Sequence, residues 1–146
     1  MDFDLTDQQR AIRDAVRAVA SRFDADYWLD RDEDGEFPHA FHSAMAEAGW
    51  LGITMPEEYG GAGLGVTEAS IMMHEVVSHG GGVAAASTVH INLFGPHPIV
   101  VFGTDDQKRR WVPRLVAGED KCCFGVTEPD AGLNTTRIKT LAQKVD

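Results

Sequence analysis

The 146-residue sequence has only two cysteines, Cys122 and Cys123, and they are neighbours in the chain. Adjacent cysteines rarely meet disulfide geometry, and two thiols alone make a poor metal site. They read as reduced thiols, one on each face of a strand, and point to a cytoplasmic protein. Long apolar runs are also missing: a bilayer needs about 20 consecutive apolar residues, and the stretch 83–94 falls short of that. Basic residues are absent over a wide interval, with no Lys or Arg from Phe37 to Thr104. Across the chain 13 Lys and Arg face 23 Asp and Glu, a net charge of −10. No basic stripe follows a phosphate backbone, which argues against nucleic acid, and the acidic first two thirds would be repelled by anionic lipid. The opening residues carry three acids and no base in the first seven, unlike a secretory or transit leader.

What is present is mostly helical patterning. Thr6 followed by Gln9 forms a capping box, and Ile12, Val16, Val19 and Phe23 then recur on one face, predicting a helix from about Asp7 to Asp24. The acid-rich stretch from Asp24 to Glu36 reads as a solvated loop. A short helix is expected over Pro38 to Ala48, with Phe41 and Met45 inward, ended by Gly49. MPEEYGGAGLG, residues 55–65, holds four glycines and must be irregular. Val66 to His79 is helical again. Val83 to Phe94 carries no formal charge, the mark of a helix buried inside a bundle. Gly95-Pro96 breaks it, Pro98 to Phe102 can add one turn, and Thr104 with Gln107 caps another helix, where Pro113 predicts a kink or restart. After Gly118 the pattern changes: Cys122 to Thr127 and Thr136 to Ala142 read as short strands around a Glu-Pro-Asp-Ala-Gly turn.

Three groupings offer weak sites. His74 and His79 stand five apart, roughly 140° around a helix, so they diverge where a zinc-protease pair would converge. His39 and His42 lie one turn apart without a third ligand. The glycines 60, 61, 63 and 65 lack nucleotide-loop spacing and have no Walker lysine, so unusual dihedrals or close backbone approach explain them better. No metal site is expected.

The strong signal is FGVTEPDAGL, Phe124 to Leu133, followed by NTTRIKT. With FDLTDQQRAIRD, MPEEYGGAGLG and GPHPIVVFGTDDQKRRWVPRLVAGE in the same order and spacing, it resembles the acyl-CoA dehydrogenase family over essentially the whole chain. The resemblance implies a mainly α fold. A bundle of about five or six helices over residues 1–118 leads into the opening strands of a middle β-barrel domain over 119–146, cut short. It implies FAD as cofactor, acyl-CoA as substrate, electron-transferring flavoprotein as partner and a homo-oligomer. Phe124, Val126, Thr127, Gly132 and Leu133 match flavin-edge positions, and Leu133 replaces a serine that many relatives use to bond cofactor or acyl-CoA. Asn134, Thr135 or Thr136 can replace that hydroxyl. His90, Asn92 and Leu93 are expected on an acyl-pocket wall, with simple bundle core as the other reading of those three. The family's catalytic glutamate matches no residue here, so no catalytic residue is assigned. A stand-alone helical binding or assembly module that lost the chemistry stays open beside the enzyme reading.

Overall fold

The structure, a computed structural model, describes residues 4–145. Met1 to Phe3, part of the acidic opening, and Asp146 lie outside the described residues. Among the described residues seven α-helices run in chain order: α1 Asp7–Ala20, α2 Ala25–Asp34, α3 His39–Glu47, α4 Val66–Val77, α5 Gly82–Phe94, α6 His97–Phe102 and α7 Asp105–Val116.

Both predicted capping boxes form. In α1 the Gln9 amide donates to Thr6 Oγ1 at 3.2 Å while Thr6 N–H donates to Gln9 Oε1 at 3.1 Å. In α7 the same pair of bonds joins Thr104 and Gln107. These satisfy amides that a helix start leaves unpaired. The apolar stripe of α1 then packs on α4, and Gln9 Nε2 donates to Glu68 Oε1 across the pair at 3.0 Å. Between α1, α3, α4 and α5 sits the main core, in which Val16, Phe41, Met45, Ile53, Met72 and Val89 are almost fully buried. A smaller core joins Met55 to Val112 and Val116 of α7, with Ile99 and Val100 of α6 packed against it.

The 55–65 loop explains its own glycines. Gly60 and Gly63 take positive φ, 88° and 63°. Gly61 passes so near Met55 that a Cβ there would stand 2.1 Å from the Met55 carbonyl oxygen. Close approach and left-handed backbone are both present, as the spacing implied.

Three expectations are corrected. The stretch 24–36 is not a loop but contains α2, capped by Asp24, whose Oδ1 accepts from Tyr27 N–H at 3.0 Å, and closed by left-handed Gly35. Its only buried residue is Trp28, so it carries no apolar periodicity to betray it. Trp28 anchors it instead, donating from Nε1 to the Phe23 carbonyl at 3.1 Å and meeting Phe41 edge to face. Pro113 does not restart α7, which runs through it. Both Pro113 and Arg109, the residue whose carbonyl loses its donor, are exposed, on the side of the helix where a missing bond costs least. Finally, among the described residues neither 122–127 nor 136–142 forms a strand; residues 135–137 make a 3₁₀ turn instead. The Glu-Pro-Asp-Ala turn does form, closed by paired bonds between Glu128 and Ala131 at 3.1 Å each. Two short segments without a third lack the cross-strand packing that makes a sheet stable.

Candidate functional site

Helix α5 and the segment after α7 meet at an aromatic contact. Phe124 packs edge to face on Phe94, ring centres 5.2 Å apart, and Phe94 in turn lies 5.3 Å from the His90 ring. The contact walls a mainly apolar recess of about 470 Å³, lined among others by Thr54, Leu64, Val66, Leu93, Phe94 and Phe124. Two of the residues singled out from the sequence, Leu93 and Phe124, therefore share one recess. Phe94, Leu64 and Val66 join them unforeseen; Leu64 and Val66 flank the last glycine of the 55–65 loop, and only folding lays that loop across α5.

The other candidates lie outside that recess, His90 and Asn92 sharing a second cavity. Asn92 is 1% exposed and its Nδ2 donates to the Leu115 carbonyl at 3.2 Å. That bond satisfies a carbonyl in the last turn of α7 and ties α5 to it. His90 is half-buried, its Nδ1 3.3 Å from the Ser87 carbonyl, and faces a second, smaller cavity. Leu133 is 105% exposed and touches neither recess.

Val126 and Thr127 line a third concavity of about 250 Å³ with Gly125, Glu128, Ile138 and Thr140. Glu128 builds it. Its carboxylate accepts the Lys139 amide at 2.8 Å and the Thr140 amide at 2.7 Å, and the Thr140 hydroxyl donates to the same oxygen as the latter. The Lys139 amide first, then the Thr140 donors, hold the Glu128 pKa below its ordinary value, so the clasp keeps an ionised carboxylate. Residues 121–127 meanwhile enter no backbone–backbone hydrogen bond among the described residues, and Thr127 is exposed. A Cβ built on Gly132 would meet nothing within 4 Å. Free amides, carbonyls and a hydroxyl along one edge, beside an unobstructed glycine turn, fit a ligand with a heteroaromatic donor–acceptor edge and an anionic group.

The divergence of His74 and His79 has a structural basis. His79 Nε2 is 2.9 Å from Glu75 Oε1, and Arg17 Nε donates to the same carboxylate oxygen at 2.7 Å. Glu75 is 4% exposed, so this triad is an internal tie between α1 and α4. No group of three or more His, Cys, Asp and Glu side chains among the described residues is placed to hold a metal.

Residues 6–119 match the model of the acyl-CoA dehydrogenase N-terminal domain, and the chain belongs to that family. Acyl-CoA dehydrogenase FadE12 of Mycobacterium tuberculosis is 35% identical over 95% of the chain, and acryloyl-CoA reductase (NADH) of Anaerotignum propionicum is 35% identical over 97%. In structure the chain resembles glutaryl-coenzyme A dehydrogenase in its glutaryl-CoA complex, with a TM-score of 0.84 and 30% identity over 94% of the chain. Butyryl-CoA dehydrogenase from Megasphaera elsdenii gives 0.79 and 28% over 93%. The chain spans only about a third of these proteins, 35% and 36% of the two enzyme sequences and 35% and 36% of the two solved chains. Among the described residues no helix is long and apolar enough to cross a membrane.

Proposed function

We propose that this chain provides the N-terminal helical domain, residues 1–118, and the flavin-edge segment, residues 119–146, of an FAD-dependent acyl-CoA dehydrogenase that oxidises acyl-CoA to enoyl-CoA. The observation that carries it is the contact of Phe124 with Phe94 of α5, which supports reading the segment around Phe124 as the flavin edge and α5 as the neighbouring acyl-pocket wall. Within this reading Val126 and Thr127 offer backbone groups and a hydroxyl to the flavin ring, Gly132 gives its phosphates room, and Leu133 stands where relatives carry a serine. Leu93 and Phe124 shape the acyl side. Asn92 acts at one remove, by fixing α5 on α7. FAD, when bound, would supply the hydride-accepting chemistry, and the residues here would bind, orient and exclude water. Electron-transferring flavoprotein is the proposed electron acceptor, and the working form is a homo-oligomer.

Two preparations test the reading. The polypeptide of these 146 residues is expected colourless, with no bleaching of added FAD by butyryl-CoA, because no residue matches the family's base and its loss alone costs about 10²–10⁴-fold. The product of the whole reading frame is expected to carry flavin that butyryl-CoA or a longer acyl-CoA bleaches, and Thr127→Ala should weaken flavin retention. A colourless, inert product of the whole frame would favour a stand-alone helical module instead.

A further inference from the structure

The concavity beside Val126 and Thr127 is completed by residues from further along the chain, Ile138 and Thr140. Among the described residues no backbone–backbone hydrogen bond joins the two segments. What joins them is the Glu128 side chain, with an exposed Lys139–Asp130 ion pair beside it at 3.5 Å. Both partners of that pair are 76% exposed, the kind of surface contact that contributes little. Glu128 is held at both ends. Its backbone exchanges two bonds with Ala131, which is only 2% exposed. Its side chain accepts the Lys139 amide on one oxygen, and the Thr140 amide and hydroxyl on the other. Three donors on two oxygens require a carboxylate: a glutamine has one acceptor oxygen, and its amide nitrogen would face a donor. Bonds to an ionised acceptor are also about twice as strong as neutral ones.

We propose that Glu128 is a positioning residue for the flavin edge. By clasping Lys139 and Thr140 it sets Ile138 and Thr140 against Val126 and Thr127, and so shapes the concavity before a ligand arrives. The role rests on the functional reading above, in which Val126 and Thr127 offer their groups to FAD. Both carboxylate oxygens are engaged by the chain, so Glu128 acts through its neighbours and not on the ligand. Ordering a site in advance lowers the cost of binding, and the effect belongs in cofactor affinity rather than in the chemical step.

The clasp itself is tested without flavin, by NMR of the Lys139 and Thr140 backbone amides in the 146-residue chain. Glu128→Gln is expected to speed their exchange with solvent about tenfold, whereas Asp130→Asn, which removes only the exposed ion pair, keeps the wild-type rate. Unchanged exchange in Glu128→Gln, or an equal change in Asp130→Asn, would overturn the clasp. In the product of the whole reading frame, Glu128→Gln is expected to weaken FAD binding about tenfold or more and to alter the shape of the bound flavin's absorption band. With FAD saturating, kcat and the KM for butyryl-CoA should stay within about twofold of wild type. Thr140→Val keeps the carboxylate and removes one donor. It should weaken FAD binding less, and add little to Glu128→Gln in the double variant, because the two act through one network. Thr140→Val also carries the test if Glu128→Gln loses the wild-type helical circular dichroism. Wild-type FAD affinity in Glu128→Gln, a fall in kcat at unchanged affinity, or additive losses in the double variant would each overturn the positioning role. A wild-type whole-frame product without flavin would remove the functional reading and this role with it, while the amide result would still establish the clasp. A wild type and a Glu128→Gln variant that hold flavin equally well would remove the role alone.

Discussion

Glu75 shows how one carboxylate can be inside a helical bundle and still be stabilising. Arg17 donates to it and holds its pKa below the ordinary value; burial opposes, and His79 lowers it further. A folded-state pKa below the unfolded one means the stabilisation is complete above the usual carboxylate value of 4.5 and disappears as pH falls below it. Glu75→Gln should therefore cost about 1–2 kcal/mol at neutral pH, discounted because Arg17 is half exposed. In urea unfolding the gap to wild type should close between about pH 5 and pH 3. A gap that stays constant over that range would show that Glu75 contributes shape rather than charge. At Gly61 the argument is steric. Alanine would force a Cβ against the Met55 carbonyl, which is backbone and cannot swing aside, so Gly61→Ala should cost about 2 kcal/mol or more. Gly125→Ala, where a Cβ meets nothing within 4 Å, should change stability by no more than about 0.5 kcal/mol. Equal melting temperatures for the two variants would contradict the close approach.

At the scale of elements, α2 is the instructive case. Helices α1 and α4 announce themselves through repeated apolar faces, but α2 rests on a cap, a left-handed glycine and one tryptophan. Asp24→Ala removes the acceptor for the Tyr27 amide and should cost about 1 kcal/mol. The loss should appear as faster amide exchange confined to residues 25–34, because opening of a locally held element is local. Exchange that accelerates uniformly through α1 and α4 would mean α2 is integral to the main core. The C-terminal segments are the opposite case. Residues 122–127 and 136–142 have strand-like composition, yet what joins their neighbourhoods among the described residues is the Glu128 clasp and an exposed Lys139–Asp130 ion pair, not a ladder of backbone bonds. Strand propensity describes how well a side chain fits a pleated neighbour, and here the neighbour is missing.

For the whole molecule, charge and apolar surface pull in opposite directions. Phe102 is 85% exposed, and Val101, Trp111, Phe124, Leu133, Leu141 and Val145 are exposed with it. Ile99 and Val100 are not part of that surface, since they pack against the smaller core. Exposed apolar patches and unpaired backbone favour self-association, while a net charge of −10 opposes it. Salt weakens only the repulsion, whose range falls to about 8–10 Å near physiological ionic strength. The 146-residue chain should therefore associate through its last third, and more strongly at high salt. Sedimentation at two salt concentrations checks this, and a monomer at both would mean the helical domain is self-sufficient. Phe102→Ser should reduce the association.

How much of this was legible in the residues follows from where each signal is stored. Caps, periodic faces and the glycine loop are local: Thr6 with Gln9, Thr104 with Gln107, and Ile12 with Val16 each act within one or two turns of chain. A sequence read alone therefore determined the helical order, the family likeness and the FGVTEP segment. It did not reveal α2, whose anchor Trp28 works only once Phe41, fourteen residues from Tyr27, folds against it. Nor did it show that Asn92 would bond the Leu115 carbonyl, or that Phe124 would reach Phe94. These are meetings between residues far apart in the chain. Tertiary structure alone decided them, because burial and hydrogen bonding depend on which surfaces face each other and not on which residues follow one another.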